Sequence, residues 1–251
     1  LAEQWKCTKP VFNEAKRLSL RQARHPLINA AQVVPIDLFL GEEYTMLLIT
    51  GPNTGGKTVA LKTLGLMVLM AQAGLFLPVD SGSSICMFSQ VFADIGDEQS
   101  IEQSLSTFSS HMTHLVSILQ EVGADDLVLL DEIGAGTDPV EGAALAMSIL
   151  ENLQACGALT VATTHYSELK QFAYAREGVE NASVEFDVQT LRPTYRLRIG
   201  MAGSSNAFAI SRRLGLAEAI LDRARVLMDQ QHVDLAAMMQ ELEKEQLEYQ
   251  E

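Results

Sequence analysis

The chain has 251 residues, 47% of them hydrophobic, with 18 Lys and Arg against 32 Asp and Glu and a formal net charge of −14. That apolar share supports one large core, or a core with a small appendage. The acidic balance is the wrong sign for a self-sufficient DNA-binding domain, because neutralisation of phosphates by Lys and Arg dominates nucleic-acid affinity.

Residues 1–30 carry six Lys and Arg against two Glu, and they read as a lead-in from an upstream domain. Residues 31–228 read as the main domain, and residues 229–251 as the start of a charged helix or linker. The chain begins with Leu1 rather than Met and ends inside the charged helical run Glu241–Glu248 without a stop signal, so it is expected to be part of a longer protein. The apolar run Met46–Thr50 predicts a strand near residues 45–50. It leads directly into Gly51-Pro52-Asn53-Thr54-Gly55-Gly56-Lys57-Thr58, the spelling of a loop that grips a nucleoside triphosphate. Gly51, Gly55 and Gly56 let successive backbone N–H groups turn inward around phosphates. Lys57 is placed to reach the β- and γ-phosphates, and the Thr58 hydroxyl to ligate Mg²⁺. A helix from Lys57 to about Ala73 adds its positive N-terminal end. The apolar stretch Leu64–Leu77 is broken by Gln72 and glycines, and neither a transmembrane segment nor a signal peptide is expected.

Ser104-Leu105-Ser106-Thr107-Phe108-Ser109-Ser110 is rich in hydroxyls, and Leu115, Ile118, Leu119 and Val122 follow at helical spacing, predicting a helix from about Thr107 to Glu121. The hydroxyls either cap that helix or build a second anion site at its end. His111 and His114 lie three apart on it, but without a third ligand nearby they read as a solvated face rather than a metal site. Next, residues 127–131 form an apolar strand ending in Asp131 and Glu132, as expected where a buried parallel strand delivers carboxylates to a ligand. Asp131 suits the Mg²⁺ shell, and Glu132 suits polarisation of the attacking water.

A helix from Pro139 to about Ala155, stopped by Gly157, precedes a strand at residues 159–164 that brings His165 to the same sheet edge. There it can hydrogen-bond the γ-phosphate or the attacking water. Segments 183–186 and 194–197 read as a hairpin around Pro193, making the later part of the sheet antiparallel. Residues 192–225 hold seven Arg against Glu218 and Asp222, either local contact patches or a solvated face. Three widely spaced cysteines, Cys7, Cys86 and Cys156, indicate a reducing, cytoplasmic location and no structural metal. The alternation of strands and helices implies an α/β fold, a mostly parallel twisted sheet covered by helices, with a C-terminal helical segment.

In combination, Gly51–Thr58, Ser106-Thr107-Phe108, Asp131-Glu132-Ile133-Gly134-Ala135-Gly136-Thr137 and Thr164-His165-Tyr166 resemble the ATPase domain of the MutS family. Asp94–Ile101, Asp138-Pro139 and Ser204-Ser205-Asn206-Ala207-Phe208 are more similar to the bacterial type-two branch than to mismatch-repair MutS. The resemblance runs from about Arg24 to about Met228. It implies a P-loop NTPase of the ABC class, dependent on ATP and Mg²⁺, acting as a homodimer with two composite sites. Ser106 would then face the γ-phosphate held by the opposite subunit, Asn53 would add a phosphate contact, and Gly136–Asp138 would cross the interface. Val33 and Val34 align where the family packs adenine. Transporter signatures carry adjacent glycines, whereas Leu105-Ser106-Thr107 has none, which argues against a transporter.

The resemblance also implies upstream core, lever and clamp parts and a nuclease-like domain beyond the end, so that contact with DNA or a stalled ribosome lies mainly outside these residues. The reading is an ATP-hydrolysing dimerisation engine that opens and closes such a clamp. A small-molecule kinase is the first rival, but it would need an arginine-rich lid and no His165 or Ser106. A non-catalytic ATP-dependent module is the second, and Glu132 argues against it.

Overall fold

The computed structural model describes residues 2–51, 56–96, 107–187, 189–190, 192–203 and 207–228. They divide into two compact units, Leu1–Ser205 and Asn206–Glu251. In the first unit, β4 (Met46–Thr50), α1 (Lys57–Gln72), β6 (Val91–Asp94), α2 (Thr107–Glu121), β7 (Leu127–Leu130), α3 (Pro139–Cys156), β8 (Leu159–Thr164), α4 (Ser167–Ala175), β9 (Val179–Asp187) and β10 (Arg192–Ile199) build a six-stranded sheet and its helices. The strand order is β10-β9-β4-β8-β7-β6. Every neighbouring pair from β9 to β6 is parallel, and β10 returns antiparallel to β9.

The central strands are apolar on both faces, as a sheet covered on two sides requires. Leu47, Ile49, Leu127, Leu129, Leu159 and Val161 point into one core with α1. Met46, Leu48, Val128, Leu130 and Ala162 point into the other with α2, α3 and α4. α1 is buried along most of its surface, so it lies between layers rather than on the outside. Its Gly65 faces Leu129, whose Cδ1 would lie 2.9 Å from an added Cβ. α3 has conventional ends: the Asp138 side chain accepts from the N–H groups of Val140 and Glu141, Pro139 takes the first turn, and Gly157 closes the helix at φ +79°.

A second, four-stranded sheet has the order β1-β5-β2-β3, with β1 (Val11–Asn13), β2 (Leu18–Ala23), β3 (Ile36–Leu40) and β5 (Ser84–Cys86). Residues from the stretch read in sequence as a lead-in supply β1 and β2 of this sheet. Leu18, Leu20 and Ala23 belong to the same core as α1 and β4. Leu18 and Leu20 alternate with Ser19 and Arg21 at the two-residue period of a strand with one buried face, and a register irregularity between Leu20 and Ala23 returns Ala23 to that face. The strand pairing β1 with β2 is β5, which comes from far along the chain. The later hairpin also differs in detail: Pro193 lies within β10, at a register irregularity between Pro193 and Leu197, where a missing N–H is tolerated.

The second unit contains α5 (Ala207–Arg213) and a helix at residues 218–228. Arg212 pairs with Glu218, Arg225 pairs with Asp222, and the Arg225 guanidinium lies 5.6 Å from the Phe208 ring centroid. Several of the arginines are therefore engaged inside their own unit. No helix among the described residues is long and apolar enough to cross a membrane.

Candidate functional site

The C-terminal ends of β4, β7 and β8 converge because the three strands are adjacent and parallel, the usual location of a ligand site in such a sheet. β4 ends at Thr50 and passes to Gly51 at φ +134°. On the far side of the loop, Gly56 at φ +95° caps α1 without any side-chain cap. The first N–H groups of α1 therefore open toward the site. Pro52, Asn53, Thr54 and Gly55 lie outside the described residues. Gly203, in the segment after β10, donates its N–H to Thr50 Oγ1 at 2.6 Å. An added Cβ there would lie 3.0 Å from the Gly51 backbone, so Gly203 must be small for the loop to keep its path.

Lys57 is 2% exposed and donates from Nζ to the Gly51 carbonyl at 2.7 Å. Burial pushes its pKa down, while the negative charges of Glu132 and Asp131 oppose that shift. Asp131 is held on both carboxylate oxygens: Thr58 donates to Oδ2 at 2.7 Å, and Thr163 donates to Oδ1 at 2.5 Å. Its N–H donates to the Asp94 carbonyl, extending the β6–β7 pairing by one residue. Glu132 sits at φ +50°, a left-handed conformation that costs a non-glycine residue energy and persists only when neighbours hold it. Its N–H donates to Thr163 Oγ1 at 2.8 Å.

The Glu132–Thr137 loop is packed against other elements. The Tyr166 hydroxyl donates to the Gly134 carbonyl at 2.9 Å. Gly136 lies against Phe108 on the first turn of α2, and an added Cβ would stand 3.2 Å from Phe108 Cβ. Ser106, one residue before α2, lies outside the described residues. His165 follows β8, is exposed, and its ring centroid is 4.5 Å from that of Tyr166.

Val33 and Val34 line a cavity of about 410 Å³ together with His25, Gly56, Val59 and Tyr195. This cavity adjoins the phosphate-loop helix and is mainly aliphatic and aromatic, suiting a flat heteroaromatic group. Tyr195 has φ +59° and brings its ring so close to Gly56 that an added Cβ would lie 2.6 Å from its Cδ1. His25 accepts at Nδ1 from the Leu27 N–H, and burial and the charge of Lys62 push its pKa down.

The structure thus brings together Gly51, Gly56, Lys57, Thr58, Asp131 and Glu132, puts His165 at the adjoining strand end, and sets Val33 and Val34 in the cavity beside α1. Sequence reasoning assigned no role to Thr163, Tyr166 or Tyr195. Thr163 is one of three threonines in β8 and nothing local singles it out, and nothing local marks Tyr195, which arrives through the irregularity in β10. Of the two helix histidines, His114 is exposed, with Nδ1 3.4 Å from Asp94, whereas His111 departs from the expected solvated face: it is partly buried and directs Nδ1 to the buried carboxylate of Asp94 at 2.7 Å. Among the described residues, no group of three His, Cys, Asp or Glu is arranged to hold a metal.

A glycine-opened helix with a buried lysine after β4, and paired carboxylates at the end of β7 in the same parallel sheet, define a P-loop NTPase domain. Comparison with known proteins narrows this class: the family model described as MutS domain V matches residues 47–232, and the chain belongs to the MutS family. It is 58% identical over 244 residues to endonuclease MutS2 of Alkaliphilus oremlandii (strain OhILAs), covering 97% of this chain and 31% of that protein. It is 60% identical over 245 residues to endonuclease MutS2 of Shouchella clausii (strain KSM-K16), covering 98% of this chain and 31% of the relative. With endonuclease MutS2 of Clostridioides difficile (strain 630) the identity is 56% over 247 residues, again covering 98% and 31%. The chain therefore spans about 31% of the length of these relatives, which are of the type-two kind.

Proposed function

We propose that this chain is an ABC-class ATPase domain that converts ATP and water to ADP and phosphate and couples that cycle to pairing of two copies. The observation that carries the reading is the buried Lys57 facing Asp131 and Glu132, with Thr58 hydrogen-bonded to Asp131. A buried cation beside two carboxylates and a hydroxyl is costly to maintain in an inert core, and it suits a polyphosphate chelated to a hard divalent cation. The donor atoms fit Mg²⁺, since Thr58 and Asp131 offer oxygen ligands.

In this reading Gly51, Gly56 and the intervening residues Pro52, Asn53, Thr54 and Gly55 wrap the phosphates, and Lys57 exchanges its Gly51 carbonyl for a phosphate oxygen. Mg²⁺ held by Thr58 and Asp131 supplies charge neutralisation across the phosphates. Glu132 orients the attacking water and accepts its proton, and His165 donates a hydrogen bond at the γ-phosphate. Val33, Val34 and Tyr195 enclose the base. Ser106 acts in trans, completing the site of a second copy. Contact with mismatched or branched DNA, or with a stalled ribosome, is assigned to parts of the longer protein, as is any nuclease activity. A cytoplasmic location accords with the three free cysteines.

Glu132→Gln tests the reading, because it keeps the shape and removes the base. Turnover is expected to fall by about 10²- to 10⁴-fold, while ATP still binds and the ATP-bound copies stay associated on size-exclusion chromatography. Unchanged hydrolysis would remove Glu132 from its role. Phosphate transferred to an acceptor other than water would favour the kinase, and a wild-type protein without turnover would favour the non-catalytic module.

A further inference from the structure

Thr163 is fully buried in β8, where valine would fill the same space and satisfy the strand equally well. A hydroxyl in that setting must be hydrogen-bonded, and this one is used in both directions. It donates to Asp131 Oδ1 at 2.5 Å and accepts the Glu132 N–H at 2.8 Å. The carbonyl of the same residue accepts the Ile133 N–H at 3.1 Å. One residue of β8 therefore holds three consecutive residues at the end of β7, including Glu132 in its left-handed conformation. The donor and acceptor bonds are linked through one oxygen, so each polarises the other.

We propose that Thr163 is a positioning residue that couples the carboxylate of Asp131 to the backbone of Glu132, setting the metal-binding and water-orienting groups relative to each other. This rests on the reading of Asp131 as a metal ligand and Glu132 as the water-orienting group. The consequence is directional. Any change in the orientation of the Asp131 carboxylate is transmitted through the Thr163 hydroxyl to the N–H on which the Glu132 conformation depends.

The test compares Thr163→Val, Thr163→Ser and Glu132→Gln with wild type in the full-length protein. It reads kcat and KM for ATP, Mn²⁺ affinity by electron paramagnetic resonance in the presence of a non-hydrolysable ATP analogue, and thermal melting. Thr163→Val is expected to lower kcat and weaken Mn²⁺ binding by about tenfold or more each, as loss of an orienting partner does, with KM much less affected. Thr163→Ser, which keeps the hydroxyl, is expected to recover most of both. The proposal is overturned if Thr163→Val turns over ATP and binds Mn²⁺ like wild type. It is equally overturned if the valine and serine variants are impaired alike, since the hydroxyl would then not be the active feature. Should Thr163→Val fail to melt cooperatively, Thr163→Ala replaces it, and the same outcomes apply. Failure of the Glu132 reading looks different: Glu132→Gln would then hydrolyse ATP normally, while the Mn²⁺ measurement, which depends on Asp131 and not on Glu132, would still report on the Thr163–Asp131 bond.

Discussion

Lys57 shows how one residue trades stability for binding. Its ammonium is withdrawn from water with a backbone carbonyl at 2.7 Å, and burial lowers its pKa despite the nearby carboxylates. The charged form is therefore less comfortable in the folded chain than in the unfolded one. Its folded-state pKa lies below 10.5, so the associated destabilisation is present at neutral pH and fades as pH rises toward that value. Lys57→Met, which keeps the length and removes the charge, is expected to raise the melting temperature without nucleotide and to abolish the further rise that ATP and Mg²⁺ produce. Differential scanning fluorimetry reads both. A lower melting temperature for the variant without ATP would show that the carboxylates outweigh burial.

Among the elements, the contact between α3 and the Glu132–Thr137 loop reverses an ordinary rule. Replacing a glycine inside a helix by alanine normally stabilises by about 0.5–1 kcal/mol. At Gly142 in α3, however, an added Cβ would come within 2.4 Å of the Gly134 carbonyl oxygen and 2.7 Å of the Tyr166 hydroxyl. Those atoms form the hydrogen bond that ties the loop to the residue after His165. Gly142→Ala is therefore expected to destabilise, by about 1–3 kcal/mol as overpacking does, and to reduce ATP turnover with it. Urea denaturation gives the first and phosphate release the second. A stabilised variant with full turnover would mean that α3 slides away without disturbing the loop.

At the scale of the whole molecule, pH acts through groups spread over the first unit. His25 has its folded-state pKa pushed below 6.5, so the unfolded chain takes up its proton first and stability falls as pH drops below 6.5. Glu185 is held below 4.5 chiefly by its bonds to Arg198 and Thr194. Its contribution is complete above 4.5 and is lost as pH falls through the lower folded value. The two effects have the same sign and act in succession. His25→Gln is expected to flatten the decline in melting temperature below pH 6.5 and to leave the loss below pH 4.5 in place. An unchanged profile would show that His25 protonates without strain.

Much of the six-stranded sheet was legible from local signals, namely continuous apolar strands at Met46–Thr50 and Leu127–Leu130, a helix opened by glycine, and another running from Pro139 to a stop at Gly157, whereas β6 and α4 were not anticipated. Glu132, Lys57 and Thr58 were legible for the same reason, since their chemistry is spelled in consecutive residues. The four-stranded sheet was not, because β1 and β5 are three residues each and pair across a long separation. Thr163, Tyr166 and Tyr195 were also hidden, as their partners, Asp131, Gly134 and Gly56, are distant in sequence and meet them only when strands align or a strand bends. The sequence alone determined the chemistry available at the site, because local spacing dictates which groups leave which strand end. The tertiary structure alone decided how those groups are held, since hydrogen bonds from β8 and α4 to the loop after β7 exist only once the sheet has assembled.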